Sequence, residues 1–258
     1  MLNSRAELKS AKRLVVKVGS SSITGANTAK IDDLVSAISA SIARGTEVIL
    51  VSSGAIATAL PLFNLTSRPD DLASAQALAA VGQSRLIARY QTSLERFDLI
   101  AGQVLLTSGD LENDETRSNA RSAIEKLLGL RVVPIVNEND TVATAEIRFG
   151  DNDRLAALVA VLVEADALIL LSDVDALYNV PPTVPGAYRI ESIVSPEELG
   201  QIEIGGSSTS VGTGGAVTKV GAAKVANSAG IPVLLTSTDN VDKALNGSDV
   251  GTWFQVRS

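Results

Sequence analysis

Short apolar runs rich in β-branched residues alternate with segments of helical periodicity along most of the chain. The first run, Leu14–Val18, predicts a buried strand, and Ile31–Ile42 then places apolar residues on one helical face until Gly45. Regular alternation of strands and helices favours parallel strands joined by helical crossovers. The sequence therefore predicts an α/β fold with a mostly parallel sheet covered by helices on both faces. Later strands are predicted at Val48–Val51, Leu99–Leu106, Val132–Val136, Leu168–Leu171, Val233–Thr236 and Trp253–Val256.

The connecting segments complete this outline. A short helix after Gly54 is broken by Pro61, Thr144–Phe149 predicts an extended hairpin arm, and residues 205–215 form a stretch rich in Gly, Ser and Thr. No repeat and no convincing linker divides the chain, so we expect a single domain over residues 1–258. The remaining helices are predicted at Asp71–Arg96, Ser118–Leu128, Asp153–Glu164 and Thr218–Ala229.

Missing residue types restrict the chemistry. The chain has no cysteine and no histidine. A disulfide framework, a thiol nucleophile, a Ser-His-Asp triad and a histidine metal site are therefore all excluded. Any reaction must use Lys, Asp, Glu, Asn, Ser and backbone N–H groups. Phosphoryl transfer needs little more, because it depends mainly on positioning and on charge stabilisation.

Charge and hydropathy restrict the partners. The net charge of −7 argues against a broad nucleic-acid surface. The N-terminal residues lack the apolar core of a signal peptide, and the longest apolar run, Leu155–Val163, is about half a membrane span. We therefore expect a soluble cytoplasmic protein that binds neither nucleic acid nor membrane.

A lysine inside the first apolar strand is the first candidate for chemistry. Lys17 precedes Gly19 and Ser20, and neither a dinucleotide-binding glycine motif nor a P-loop is present at this turn. A lysine in a buried strand is costly unless it faces a cleft or a partner. A phosphate contact is the favoured interpretation, and an edge-strand lysine that reaches outward to solvent is the alternative.

Amide and carboxylate residues cluster after two strands. Ser53 and Gly54 follow the second strand, and Asn137–Asp140 follows the fourth, where ligands of open α/β sheets bind. Gly150–Asp153 precedes a helix, and helix capping explains one of its residues but not the whole set. A carboxylate can bind an ammonium group, and amide N–H groups can bind carboxylates. Side by side, these residues suit a zwitterionic amino acid.

Two later turns are candidates for nucleotide binding. Ser172 and Asp173 follow the strand at Leu168–Leu171, although a plain turn is about as good an interpretation. Thr213–Lys219 combines paired glycines, a hydroxyl and a lysine at a helix start, which is typical of an anion site. A flexible loop is the competing interpretation for this segment.

Together these segments resemble the amino-acid kinase superfamily and, within it, the glutamate 5-kinases. The resemblance runs from Leu14 to about Phe254 and is most specific in the block at residues 132–153. Some positions depart from the usual pattern: Ser172 stands where relatives have Thr, Ala176 where they have Gly, and Ala216 where they have Met. We expect the form without the C-terminal PUA domain that many relatives carry. The matching pieces are VVKVGSSS (15–22), SSGAI (52–56), AAVGQSRL (79–86), GQVLLT (102–107), SNAR (118–121), VVPIVNENDTVATAEIRFGDND (132–153), LLSD (170–173), GTGGAVTK (212–219) and VGTWF (250–254).

The resemblance implies a three-layer α/β/α sandwich, with a glutamate-binding lobe at about 12–152 and an ATP-binding lobe at about 153–258. It implies that Lys17 and Lys219 stabilise the transferring phosphoryl group, and that Asp153 orients both lysines. The implied substrate-binding residues are Ser53, Gly54, Asn137, Asp140 and Asn152. The implied nucleotide-binding residues are Lys17, Gly19, Ser20, Ser172, Asp173, Thr213, Gly214, Gly215, Ala216, Val217, Thr218 and Lys219.

The implied reaction is the ATP-dependent phosphorylation of the side-chain carboxylate of L-glutamate, the first step of proline biosynthesis. Mg²⁺ is expected with the nucleotide. Proline is expected as a feedback inhibitor, near Asn137–Phe149, glutamyl-phosphate reductase as a partner, and a homo-oligomer as the assembly. Two alternatives remain: a kinase of the same superfamily that acts on aspartate, acetylglutamate, carbamate or UMP, and a catalytically silent nucleotide-binding regulator of the same fold.

Overall fold

A computed structural model of the chain describes residues 2–142, 152–180, 182–194 and 215–256. Its strands are β1 (Arg13–Val18), β2 (Glu47–Ser52), β3 (Ile100–Leu106), β4 (Val132–Glu138), β5 (Ala167–Ser172), β6 (Ser192–Ile193), β7 (Val233–Ser237) and β8 (Thr252–Phe254). Its α-helices are α1 (Lys30–Ala43), α2 (Ala55–Ala59), α3 (Leu72–Glu95), α4 (Ser108–Glu112), α5 (Asp114–Gly129), α6 (Asn152–Leu162), α7 (Ala216–Ser228) and α8 (Val241–Leu245). Short 3₁₀ turns lie at Arg5–Ser10, Ser20–Ser22, Gly25–Asn27, Leu60–Phe63, Asp140–Val142 and Thr238–Asn240.

The strands described here form one sheet in the order β3-β4-β2-β1-β5-β7-β8-β6. Strands β1 to β5 and β7 pair in parallel, whereas β8 runs antiparallel to β7. Strand β2 pairs with one side of β1, and β5, which comes later in the chain, pairs with the other side. The carboxyl ends of β1, β2 and β5 therefore surround a topological switch point, where open α/β sheets bind ligands.

Helices cover both faces of the sheet and enclose two hydrophobic cores. Leu14, Val16 and Val18 of β1 point into the core that contains residues of α1, α3 and α8. Val15 points into the opposite core, against α5, α6 and α7. Since side chains alternate along a strand, Lys17 lies on the α6 and α7 side. The predicted three-layer α/β/α sandwich with a mostly parallel sheet is confirmed.

Most predicted elements are found within one to four residues of their predicted bounds. Strand β4 runs two residues further than expected, to Glu138, and α5 begins at Asp114 rather than Ser118. The sequence analysis missed the short elements α4, β6 and α8. These elements have two to five residues each, which is too few to show a period. The hairpin arm predicted at Thr144–Phe149 lies outside the described residues.

A close contact between α2 and α3 gives a stability prediction. A Cβ added at Gly82 of α3 would lie 1.8 Å from the carbonyl oxygen of Ala55 in α2. Backbone cannot yield as a flexible side chain can, so Gly82→Ala should lower the free energy of unfolding by roughly 3 kcal/mol, the upper part of the overpacking range. Urea denaturation measures this loss.

Gly221 in α7 provides the control for that experiment. A Cβ at Gly221 meets no atom within 4 Å. Gly221→Ala should therefore stabilise the protein by roughly 0.5–1 kcal/mol, through helix propensity alone. Equal effects of the two substitutions would contradict the close approach of α2 and α3.

Candidate active site

Residues predicted for the active site converge at the carboxyl ends of the central strands. Lys17 is near the end of β1, Asn137 near the end of β4, and Ser53 directly follows β2. Helix α6 begins opposite them with Asn152 and Asp153, both of which are buried. Residues distant in sequence thus form one polar region inside a mostly apolar fold.

Two buried lysines share one carboxylate in this region. The Nζ of Lys17 lies 2.6 Å from one carboxylate oxygen of Asp153, and the Nζ of Lys219 lies 3.5 Å from the other. The lysine side chains are 6% exposed and that of Asp153 is 2% exposed. Thr218 adds a hydrogen bond from its hydroxyl to Asp153, at 2.8 Å. Asp153 therefore fixes the positions of two ammonium groups, one from strand β1 and one from helix α7.

The charges of this cluster influence one another strongly. Burial alone would raise the pKa of Asp153, but Lys17 and Lys219 outweigh burial, and the pKa falls below its ordinary value. Burial lowers the pKa of Lys219, as does the nearby Lys17, while Asp153 and Asp173 act in the opposite direction. Two buried ammonium groups held by one carboxylate can stabilise a phosphoryl group on which negative charge develops.

The predicted substrate residues form a second, hydrogen-bonded cluster. The amide nitrogen of Asn152 donates to the hydroxyl of Ser53 at 2.9 Å and to the side-chain oxygen of Asn137 at 3.2 Å. All three side chains are at most 9% exposed. Asn152 and Asp153 are consecutive at the start of α6, so their side chains diverge by about 100° around the helix. One joins the amide cluster and the other the lysines, which places the two clusters side by side.

Asp140 lies just beyond the amide cluster, in the 3₁₀ turn after β4, and is 8% exposed. Burial, reinforced by the neighbouring Glu138 carboxylate and opposed by Arg68, raises the pKa of Asp140 to about 7. A cationic partner would stabilise the ionised form of a carboxylate in such surroundings. The geometry is therefore compatible with the role predicted for Asp140, to hold an ammonium group.

The turns after β1 and β2 pack against each other beside Lys17. Gly54 adopts a left-handed backbone with φ of 100°. A Cβ there would lie 2.9 Å from a methyl carbon of Thr24 and 3.4 Å from the hydroxyl of Ser20. At Gly19, a Cβ would lie 3.8 Å from the Nζ of Lys17. Gly19 thus allows backbone close to Lys17, and Gly54 allows the turn after β2 to pack against Ser20 and Thr24.

The other predicted nucleotide residues that the structure describes lie at the end of β5 and at the start of α7. The hydroxyl of Ser172 donates to the exposed carboxylate of Asp173 at 2.9 Å. Helix α7 begins after Gly215, whose extended conformation caps the helix without a side-chain hydrogen bond. Ala216 and the exposed Val217 form its first turn, so their N–H groups are available to an anion. Thr213 and Gly214 lie outside the described residues.

Sequence reasoning missed two residues that support this region. Gln83 of α3 accepts hydrogen bonds from Asn137 and Gln103, at 3.2 and 3.3 Å. Tyr90 of α3 is fully buried and shares a 2.8 Å hydrogen bond with Ser52. Gln83 was detectable as a polar residue on the apolar face of α3. Thr218, predicted as a nucleotide contact, uses its hydroxyl on Asp153 and Gly215.

Two solved structures share this fold. Carbamate kinase from Giardia lamblia bound to AMP-PNP has a TM-score of 0.68 at 18% identity and covers 96% of this chain and 100% of its own. Uridylate kinase from Archaeoglobus fulgidus has a TM-score of 0.61 at 19% identity, with 93% and 99% covered. At such identities the likeness establishes the fold alone.

Sequence relatives are far closer. The amino acid kinase family matches residues 12–237. Glutamate 5-kinase of Clavibacter sepedonicus is 65% identical over 99% of this chain and 98% of its own length. The chain belongs to the glutamate 5-kinases. The enzymes named so from Leifsonia xyli and Salinispora arenicola are 60% and 54% identical, and this chain spans 94% and 69% of their lengths. The predicted family membership is confirmed.

Within residues 2–142, 152–180, 182–194 and 215–256, no helix is both long and apolar enough to cross a membrane. In the same ranges, no three acidic side chains come together as a metal site.

Proposed function

We propose that this kinase transfers the γ-phosphoryl group of ATP to the side-chain carboxylate of L-glutamate, giving L-glutamyl 5-phosphate and ADP. The observation that carries the proposal is the Asp153 carboxylate that holds Lys17 and Lys219 beside the amide cluster, at 2.6 and 3.5 Å. A carboxylate acceptor is already ionised near neutral pH, so the transfer needs no general base. The chain has no histidine to provide one.

In this proposal each cluster has a separate task. Ser53, Asn137, Asn152 and Asp140 bind glutamate and direct its side-chain carboxylate toward the lysines. Lys17 and Lys219 neutralise charge on the transferring group, and Asp153 keeps them in position. Alignment and charge neutralisation of this kind supply most of the rate enhancement in phosphoryl transfer.

ATP occupies the C-terminal side in this proposal, with its phosphates near Gly19, Ser20 and the first turn of α7. Ser172, Asp173, Gly215, Ala216 and Val217 surround it, together with Thr213 and Gly214. Mg²⁺ would accompany the nucleotide and neutralise charge on its phosphates, as this ion does in kinases. The corresponding lobes are about 12–152 for glutamate and about 153–258 for ATP.

The family membership supports further proposals about regulation and context. Proline acts as a feedback inhibitor that competes for the glutamate site, glutamyl-phosphate reductase takes up the product, and the enzyme is a cytoplasmic homo-oligomer. Inhibition at millimolar proline and subsaturating glutamate tests the first of these proposals, and an unchanged rate would contradict it.

ADP release across a panel of acceptors tests the proposed reaction. Glutamate should support turnover well above aspartate, N-acetylglutamate, carbamate and UMP. Preference for another acceptor would assign the chain a different substrate. ATP binding without ADP release from any acceptor would indicate a silent regulator.

The raised pKa of Asp140 gives the reaction a pH dependence. Only the ionised carboxylate attracts the ammonium group of glutamate. Since kcat/KM reports groups of the free enzyme, it should rise about tenfold per pH unit up to the Asp140 pKa and then level off. That pKa is about 7. In Asp140→Asn this rise should disappear, and an unchanged pH profile would contradict the assignment.

A further inference from the structure

A cleft between α1, α2 and α3 lies outside the active site described above. Its volume of about 690 Å³ is in the usual range for a small-molecule site. None of the residues that line it is among those predicted for the active site. We call it the arginine cleft, and the residues that characterise it are Asp32, Thr58, Leu62, Arg85, Arg89 and Arg96.

The arginine cleft is positively charged in a chain that is negative overall. Its lining contains three arginines and one carboxylate, that of Asp32, which gives a local charge of +2 against −7 for the whole chain. Asp32 accepts a 2.6 Å hydrogen bond from Ser93 and lies 3.3 Å from Arg96. One arginine is therefore paired with the carboxylate, and the charge of the other two attracts anions to the cleft.

These other two arginines, Arg85 and Arg89, lie one turn apart on α3 and are exposed. Among the described residues, no carboxylate forms an ion pair with either of them. Like charges four residues apart repel each other and slightly destabilise a helix. A bound anion would remove this repulsion, because each guanidinium group can form two parallel hydrogen bonds to phosphate or carboxylate oxygens.

A buried hydroxyl group also belongs to the lining of the cleft. Thr58 of α2 is 6% exposed, and its hydroxyl has no hydrogen-bond partner in the described part of the chain. Buried polar groups are normally paired, so an unpaired one calls for an explanation. A ligand oxygen would accept this hydrogen bond. The apolar side chain of Leu62, which is half exposed at 52%, suits contact with a carbon skeleton.

We propose that the arginine cleft is a second ligand site, which binds a small organic anion with two or more negative charges. Arg85 and Arg89 bind its charged groups, Thr58 donates a hydrogen bond to one of their oxygens, and Leu62 contacts the carbon skeleton. Phosphate esters and polycarboxylates share this chemistry. The proposal does not depend on the reaction proposed above, because the two sites share no residue.

Calorimetric titration with two probes tests the proposal. Pyrophosphate presents phosphate oxygens, and tricarballylate presents three carboxylates on a carbon skeleton. Binding should weaken at least tenfold when Arg85→Gln and Arg89→Gln are combined, as expected for loss of hydrogen bonds to charged groups. It should persist in Lys219→Met. The probe that binds more tightly identifies the charged group of the ligand. Binding that is lost in Lys219→Met and kept in the double variant would belong to the active site and overturn the proposal, as would binding of neither probe.

Two further variants separate a built site from loose attraction of ions. Arg117→Gln combined with Arg121→Gln removes two exposed arginines four residues apart on α5, and should leave the affinity within about twofold. Thr58→Val keeps the shape of the side chain and should weaken binding roughly fivefold, as expected for one neutral hydrogen bond. Equal weakening by both arginine pairs, with no effect of Thr58→Val, would indicate loose attraction and overturn the proposal.

The competing occupant of the cleft is a second copy of the chain. Sedimentation velocity separates the two cases. The double variant at Arg85 and Arg89 should keep the oligomeric state of the wild type. Dissociation of that variant, with unchanged binding of both probes, would make the cleft a contact between copies and overturn the proposal.

Discussion

Replacing Lys219 with methionine should lower kcat by about 10²–10³, as the loss of one preorganised electrostatic contact typically does. The reason is that Lys219, in the proposed reaction, faces charge that develops only on the transferring phosphoryl group. Its ammonium group is held 3.5 Å from Asp153 and is buried, so no water can replace it readily. The KM values for glutamate and ATP should change only slightly. Steady-state kinetics with both substrates varied measures the effect.

Lys224→Met is the control for this prediction. Lys224 lies on the same helix, α7, but is exposed. Its replacement should leave kcat within about twofold of wild type, as expected for a surface change away from the reaction. A variant at Lys219 that raises KM for ATP without lowering kcat would make this lysine a ground-state contact and contradict its role.

Replacing Asp140 with alanine should raise KM for glutamate by about 30-fold or more at pH 8. Truncating one member of a buried charge pair costs about 2–5 kcal/mol, and 2 kcal/mol corresponds to about 30-fold in affinity. The proposed contact to the ammonium group would be the same in ground and transition states, so kcat should change far less. KM for ATP should be nearly constant.

Stability separates this role of Asp140 from that of a simple turn residue. The pKa of Asp140 is raised from 3.8 to about 7, so the carboxyl group favours folding while it is protonated. That contribution is complete below about pH 4 and is lost as pH rises through about 7. At pH 8, Asp140→Ala should therefore not lower the melting temperature. A lower melting temperature, with equal effects on both KM values, would remove Asp140 from the substrate site. Asp33→Ala, at an exposed site on α1, is the control.

Much of this site was predictable because the residues break local rules. Lys17 interrupts an apolar strand, and the structure places its ammonium group 2.6 Å from Asp153. Because side chains alternate along a strand, the sequence of β1 places Lys17 on the face opposite to Val16 and Val18. One helix cap requires only one polar residue, whereas Asn152 and Asp153 are both polar. Each of them belongs to a different cluster. Local pattern therefore identified the polar residues that the fold brings together.

The sequence pattern could not reveal the partners of these residues. Asn152 donates hydrogen bonds to Ser53 and Asn137, and Asn137 donates one to Gln83, all across at least 15 residues of the chain. Gln83 is visible in the sequence as a polar residue on the buried face of α3, but its partners are not. The antiparallel pairing of β8 was equally inaccessible, because alternation of apolar residues does not show strand direction.

Trapping of the reaction product with hydroxylamine tests the proposed reaction most directly. An acyl phosphate formed on the side chain of glutamate reacts to the γ-hydroxamate, which a phosphate ester would not give. The hydroxamate should appear only when ATP, Mg²⁺ and L-glutamate are all present, and Lys219→Met should slow its formation. Equal or greater hydroxamate formation from aspartate would contradict the assignment of glutamate as the acceptor.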